Sequence, residues 1–85
     1  VVMHDGSLEF RLEEIPVPGG SALAGASLRD AHIRDHTGAL ILAMRDGDGT
    51  FTTNPSPETV LCAGQILIAI GTETQLAALA EAARP

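Results

Sequence analysis

Ile15-Pro-Val-Pro-Gly-Gly-Ser-Ala-Leu-Ala-Gly-Ala-Ser-Leu28, then Ile33-Arg34 with Gly38-Ala-Leu-Ile-Leu-Ala-Met-Arg45, then Asn54-Pro-Ser-Pro-Glu-Thr-Val-Leu-Cys-Ala-Gly64-Gln-Ile-Leu-Ile-Ala-Ile-Gly71 carry the reading of this chain. Each piece joins a Gly- or Pro-punctuated turn to a short apolar run. Residues 39–44 and 65–70 have the length of buried strands and are bounded by Gly on at least one side. None of the three pieces carries an evident catalytic group. The combination predicts a small sheet domain that binds and regulates rather than one that catalyses.

Working outward, Leu8, Phe10 and Leu12 alternate with Glu9, Arg11 and Glu13, the period of a half-buried strand. Glu14-Ile15 interrupts that alternation and predicts a bulge before Pro16, and Pro16 and Pro18 suit a strand end. Residues 1–7 read as a lead-in from a preceding domain, with a turn at Asp5-Gly6, and residues 8–85 as the domain itself. Ser27 reads as the N-cap of a short helix over Leu28–Asp35, with Gly38 just past its end. Asp46-Gly-Asp-Gly49 is a hairpin loop answered by Thr50-Phe-Thr-Thr53. Thr72-Glu-Thr-Gln75 fits a capping box, after which Leu76, Leu79, Ala80 and Ala83 share one face of a terminal helix. The expected class is therefore α+β: a small mixed or antiparallel sheet, a short helix after the first strand, and a C-terminal helix capping the sheet.

Eighty-five residues make one domain. The core is almost wholly aliphatic, with Phe10 and Phe51 the only aromatics. That scarcity points to extra buried surface from a partner chain or neighbouring domain, and a chain opening on Val is expected to be part of something longer. A formal charge of −6, with no Lys, argues against nucleic acid as a partner. It also disfavours adhesion to an anionic membrane surface. No apolar run reaches the length needed for direct membrane insertion. The single Cys62 excludes an internal disulfide and fits a reducing, cytoplasmic setting.

Few residues invite chemistry. His32 and His36 are four apart, with Asp35 between, but no third ligand is set by spacing, so no metal is expected. Asp46 and Asp48 fail the calcium-loop pattern, because Pro57 stands where a bidentate Glu belongs. Cys62 lacks a basic setting and reads as partly buried, and Ser21 and Ser27 serve turn and cap. No catalytic residue is assigned, and the chain reads as a non-enzyme. Arg34 has two readings: a cation at a helix C-terminus, or a contact for an anion or phosphate.

In their order and spacing the three quoted pieces resemble the C-terminal domain of the regulator of potassium conductance family, the RCK C-terminal or TrkA C-terminal domain, over about residues 8–80. Gln65 departs from the Asp usual in that family after Gly64, and Ala26 from a common basic residue. The resemblance implies a homodimer beside or beyond a nucleotide-binding domain, in the same chain or complex as a membrane transporter or channel and on the cytoplasmic face. Some relatives bind cyclic di-AMP across the dimer interface. The matching contacts here are Leu28, His32, Ile33 and Arg34, with a later proline at Pro55 or Pro57; an Asn used by those relatives falls at Leu40. The function implied is ligand sensing and dimerisation for a potassium channel, a potassium uptake system or a cation/proton antiporter. The rival readings are a purely structural dimerisation domain, the regulatory domain of an anion or dicarboxylate transporter, and a fragment of an enzyme.

Overall fold

The computed structural model describes residues 2–5 and 8–85. In chain order they form β1 (Val2–Asp5), β2 (Leu8–Pro16), α1 (Leu28–Ala31), α2 (Ile33–Thr37), β3 (Leu40–Arg45), β4 (Phe51–Thr53), β5 (Ile66–Gly71) and α3 (Glu73–Ala82). The strands make one antiparallel sheet in the order β1-β2-β5-β3-β4. The α+β class expected from sequence is the one adopted.

β5 takes the centre because every second residue can be buried completely. Leu67 and Ala69 are fully covered, while Ile66, Ile68 and Ile70 on the opposite face are half-buried. Against Leu67 and Ala69 lie Leu76, Leu79 and Ala83 from α3 and its C-cap, together with Ile15, Val17, Leu23, Ile33, Ala39, Met44 and Leu61. Full burial of a Leu of this kind is worth about 2 kcal/mol. All the helices therefore cover one face of the sheet. The other face carries Leu12, Ile70 and Leu40 in one cross-strand row and Pro16, Ile66, Arg45 and Phe51 in another.

Several local expectations change. The alternation in β2 is real, but its core side is the odd one: Ile15 pairs beside Leu67, whereas Leu12 pairs beside Ile70 on the outer face. No bulge occurs at Glu14-Ile15, because the register with β5 runs unbroken from Arg11 to Pro16. The irregularity lies in β3, between Ile41 and Ala43. Leu42 is the extra residue there, and its carbonyl accepts the Asn54 N–H at 2.8 Å. The shift lets Met44 reach the core that Ala39 and Ile41 already face. β3 is thus buried on both sides only at Ala43 and Met44, and Leu40 is 45 % exposed. Residues 2–5, expected in a lead-in, pair with β2 as β1, since Leu8–Arg11 offers an antiparallel edge. Beyond Asp5, the turn expected at Asp5-Gly6 lies outside the described residues. Ala80 is exposed rather than core-facing, and so is Cys62.

The capping box at the start of α3 forms as expected. Thr72 Oγ1 accepts the Gln75 N–H at 3.2 Å, and Gln75 Oε1 accepts the Thr72 N–H at 2.9 Å. The same Gln75 side chain fills the space between two glycines. A Cβ on Gly38 would stand 2.6 Å from Gln75 Nε2, and one on Gly71 3.0 Å from Oε1. Gly38 also holds φ +80, in the left-handed region. Gly38→Ala should therefore cost about 1–3 kcal/mol. Urea denaturation reads this directly, and an unchanged midpoint would remove the role given to Gly38.

Candidate functional site

The short helix read over Leu28–Asp35 is two helices. Ser27 Oγ accepts the Asp30 N–H at 3.0 Å and starts α1. That helix stops at His32, whose φ 50 and ψ 41 are left-handed. His is among the few residues other than Gly that visit this region with some frequency, so nothing in the local sequence announces the break. α2 restarts at Ile33 and ends at Gly38. The two helices are anchored in different places, which accounts for the break. Ile33 is pinned in the core at 5 % exposure. The first turn of α1 is instead bonded to the Pro-rich crossing between β4 and β5.

That crossing is stitched on by a backbone ladder. The Arg29 N–H donates to the Pro57 carbonyl at 2.8 Å, and the Leu28 N–H to Thr59 at 2.9 Å. Leu61 donates to Ala26, and Gly25 to Leu61, both at 2.8 Å. Prolines at 55 and 57 cannot donate to such a ladder, so their rings are left to form a wall. The result is a groove of about 230 Å³ lined by Leu28, Arg29, Ile33, Arg34, Ala39, Leu40, Ile41, Pro55 and Pro57. A neighbouring hollow shares Leu28, Arg29, Ile33 and Arg34 and adds His32 and Asp35.

Of the residues named from sequence, Leu28, Ile33, Arg34, Pro55 and Pro57 line the groove, and His32 lines the adjoining hollow instead. Arg29, Ala39 and Ile41 were not anticipated as lining residues. Leu40 presents an exposed apolar side chain at the groove.

Arg34 stands apart among the five arginines. Arg11 pairs with Glu9 at 3.0 Å, Arg29 with Glu58 at 2.6 Å, Arg45 with Glu14 at 2.7 Å and Arg84 with Glu81 at 3.0 Å. Among the described residues the Arg34 guanidinium has neither an ion pair nor a hydrogen bond, so it does not cap the carbonyls of its own helix. An apolar groove with one unengaged guanidinium is suited to a ligand that joins flat apolar groups to a phosphate.

The remaining polar clusters are used structurally. Asp46 Oδ1 accepts from Gln65 Nε2 at 3.0 Å, while Gln65 Oε1 accepts the Cys62 N–H at 2.8 Å. Asp48 Oδ1 accepts the Thr50 N–H at 2.9 Å, which holds its carboxyl below the usual carboxylate range. The His32 and His36 rings are 5.7 Å apart, and His32 Nδ1 lies 3.7 Å from Asp35 Oδ2. Among the described residues no three His, Cys, Asp or Glu side chains are grouped to hold a metal ion.

With this geometry in hand, the family model of the TrkA-C domain matches residues 12–84. This chain belongs to the TrkA-C domain family. Two potassium channel proteins of Methanocaldococcus jannaschii are similar to this TrkA-C domain. Potassium channel protein 1 is 51 % identical over 49 residues, covering 58 % of this chain and 14 % of that protein. Probable potassium channel protein 2 is 41 % identical over 68 residues, covering 80 % and 20 %. The chain thus spans a fifth or less of the curated relatives it matches. Among solved structures, the RCK_C domain dimer of S. agalactiae BusR in complex with c-di-AMP superposes with a TM-score of 0.79 at 28 % identity, covering 85 % of this chain and 93 % of that one. The RCK C domain of the potassium transport protein KtrA, in complex with cyclic diadenosine monophosphate, gives 0.76 at 30 %, covering 85 % and 81 %. BusR is also solved in complex with its busAB-promotor DNA, where this domain covers 35 % of the chain. The charge argument against nucleic acid is accordingly restricted to the present residues and does not extend to a longer chain. Among the described residues no helix is long and apolar enough to cross a membrane.

Neighbouring residues of the groove should respond oppositely to truncation. Ile33→Ala should lose about 2–4 kcal/mol of stability, whereas Arg34→Ala should stay within about 0.5 kcal/mol of the parent. Paired thermal melts would check this, and a large loss for Arg34→Ala would return that residue to a structural role.

Proposed function

We propose that this TrkA-C domain is a ligand-sensing, dimerising regulatory module for a potassium channel, a potassium uptake system or a cation/proton antiporter, working at the cytoplasmic face of the membrane. Its ligand is a cyclic dinucleotide, with cyclic di-AMP the first choice because two of the solved relatives hold it. The observation that carries this reading is Arg34, the arginine left unengaged at the rim of an apolar groove. Leu28, Ile33, Pro55 and Pro57 offer walls for a base, and the guanidinium offers a bidentate fork for a phosphate.

Size supports a shared site. A groove of about 230 Å³ is smaller than the roughly 300–1,000 Å³ usual for small-molecule pockets. Two copies facing each other across a two-fold axis would enclose a two-fold symmetric ligand, each protomer taking one nucleotide half. Leu40 belongs both to the groove and to the outer face of the sheet, so the apolar surface continues from the site to a face with room for a second chain. Regulation follows if the nucleotide favours one dimer arrangement over another, because a ligand shifts an equilibrium only by its differential affinity.

Calorimetry with cyclic di-AMP should show one nucleotide per two chains, and Arg34→Ala should weaken binding about 10- to 100-fold, as expected for loss of a charged hydrogen-bonding partner. Absence of heat at high micromolar ligand would discard cyclic di-AMP and leave the purely structural dimerisation domain as the better account. Sedimentation at micromolar concentration should give twice the chain mass; a monomer throughout would rule out the shared groove.

A further inference from the structure

We infer that Arg29 is a second phosphate-binding residue of this groove, and that Glu58 occupies its guanidinium as an internal competitor until ligand arrives. The inference rests on the reading of the groove as a nucleotide site and adds a threshold to it.

Arg29 and Arg34 are the two cations that line both the groove and the adjoining hollow. They differ in engagement. Arg34 is unpaired among the described residues, whereas Arg29 Nη2 lies 2.6 Å from Glu58 Oε1. Backbone geometry brings that carboxylate to the rim. The Arg29 N–H donates to the Pro57 carbonyl at 2.8 Å, so the next residue along the crossing, Glu58, is delivered beside the Arg29 side chain. The backbone bond remains whether or not the side chains pair, which lets the pair open without unravelling α1.

The pair is also easily opened. Its side chains are 64 % and 67 % exposed, and exposed ion pairs are worth a factor of only about one and a half to five in an equilibrium. A phosphodiester oxygen pair matches the planar fork of the guanidinium as well as a carboxylate does. It would arrive already held by Arg34 and by apolar contact with the groove, so its effective concentration at Arg29 is high. Glu58 would then be released to solvent. Among the described residues Glu58 is the only acidic side chain paired with Arg29, while Asp35 lies beside His32 at 3.7 Å.

Calorimetric titration with cyclic di-AMP of the unaltered chain, Glu58→Gln, Arg29→Gln, Arg34→Gln and the Arg29→Gln/Glu58→Gln pair tests the idea. Thermal melts of each confirm folding. Glu58→Gln should bind about two- to five-fold more tightly, and Arg29→Gln at least five-fold more weakly. The double variant should bind no more tightly than Arg29→Gln alone, because Glu58 acts through Arg29. Unchanged or weaker binding by Glu58→Gln, with Arg34→Gln still impaired, overturns the competitor while leaving the nucleotide site standing. A gain from Glu58→Gln that persists without Arg29 also overturns it, as that is plain charge repulsion. If the unaltered chain and every variant fail to bind, the nucleotide reading falls and this inference falls with it.

Discussion

The backbone ladder between residues 25–29 and 57–61 is the constraint on which the site depends. The path from β4 to β5 runs through Asn54-Pro-Ser-Pro, which cannot pair as a regular strand. Left free, it would be a long irregular loop with no defined surface. Tied at Ala26, Leu28 and Arg29, it becomes the second wall of a groove whose first wall is α1. The same bonds satisfy the N–H groups at the start of α1 that a helix leaves without partners. One set of interactions thus closes a helix end, orders a loop and sets the distance across the groove.

Features governed by neighbours in sequence could be read from the chain. The capping box at Thr72 and Gln75, the Ser27 cap, the Gly38 turn and the Asp-Gly hairpin each need only a few consecutive residues, and each forms. The assignments that fail are those decided at long range. Alternation located a strand at Leu8–Pro16, but which side faces the core depends on β5 and α3, 50 or more residues away. The break at His32 has no local signal, because the residues on either side answer to distant partners, Ile33 to the core and Leu28 to the crossing. Leu42 looks like any other residue in an apolar run, and only the register with β5 reveals it as the extra one.

The site follows the same division. Leu28, Ile33, Arg34 and the prolines came from motif resemblance, and the structure places them around one groove through contacts that spacing could not supply. Arg29 carries no such signal, because an Arg beside a helix cap is unremarkable until its partner is known, and that partner, Glu58, lies 29 positions later. The sheet tells a related story about composition. A core with two aromatics is adequate on the helix side, where aliphatic side chains close it fully. The other side keeps a row of half-buried Ile and Leu, which fits a domain built to be completed by another surface.

β5 is third in the sheet and last among the strands in the chain. As the polypeptide leaves the ribosome, β1 can pair with β2 and β3 with β4, giving two separate hairpins with nothing between them. Neither can become a sheet until residues 66–71 emerge and slot into the gap, bringing the centre of the core with them. Until then Ile15 and Met44, destined to lie on either side of Leu67, have no common neighbour. A topology that holds its keystone to the end favours an all-or-none folding step, slowed by the closure of long loops.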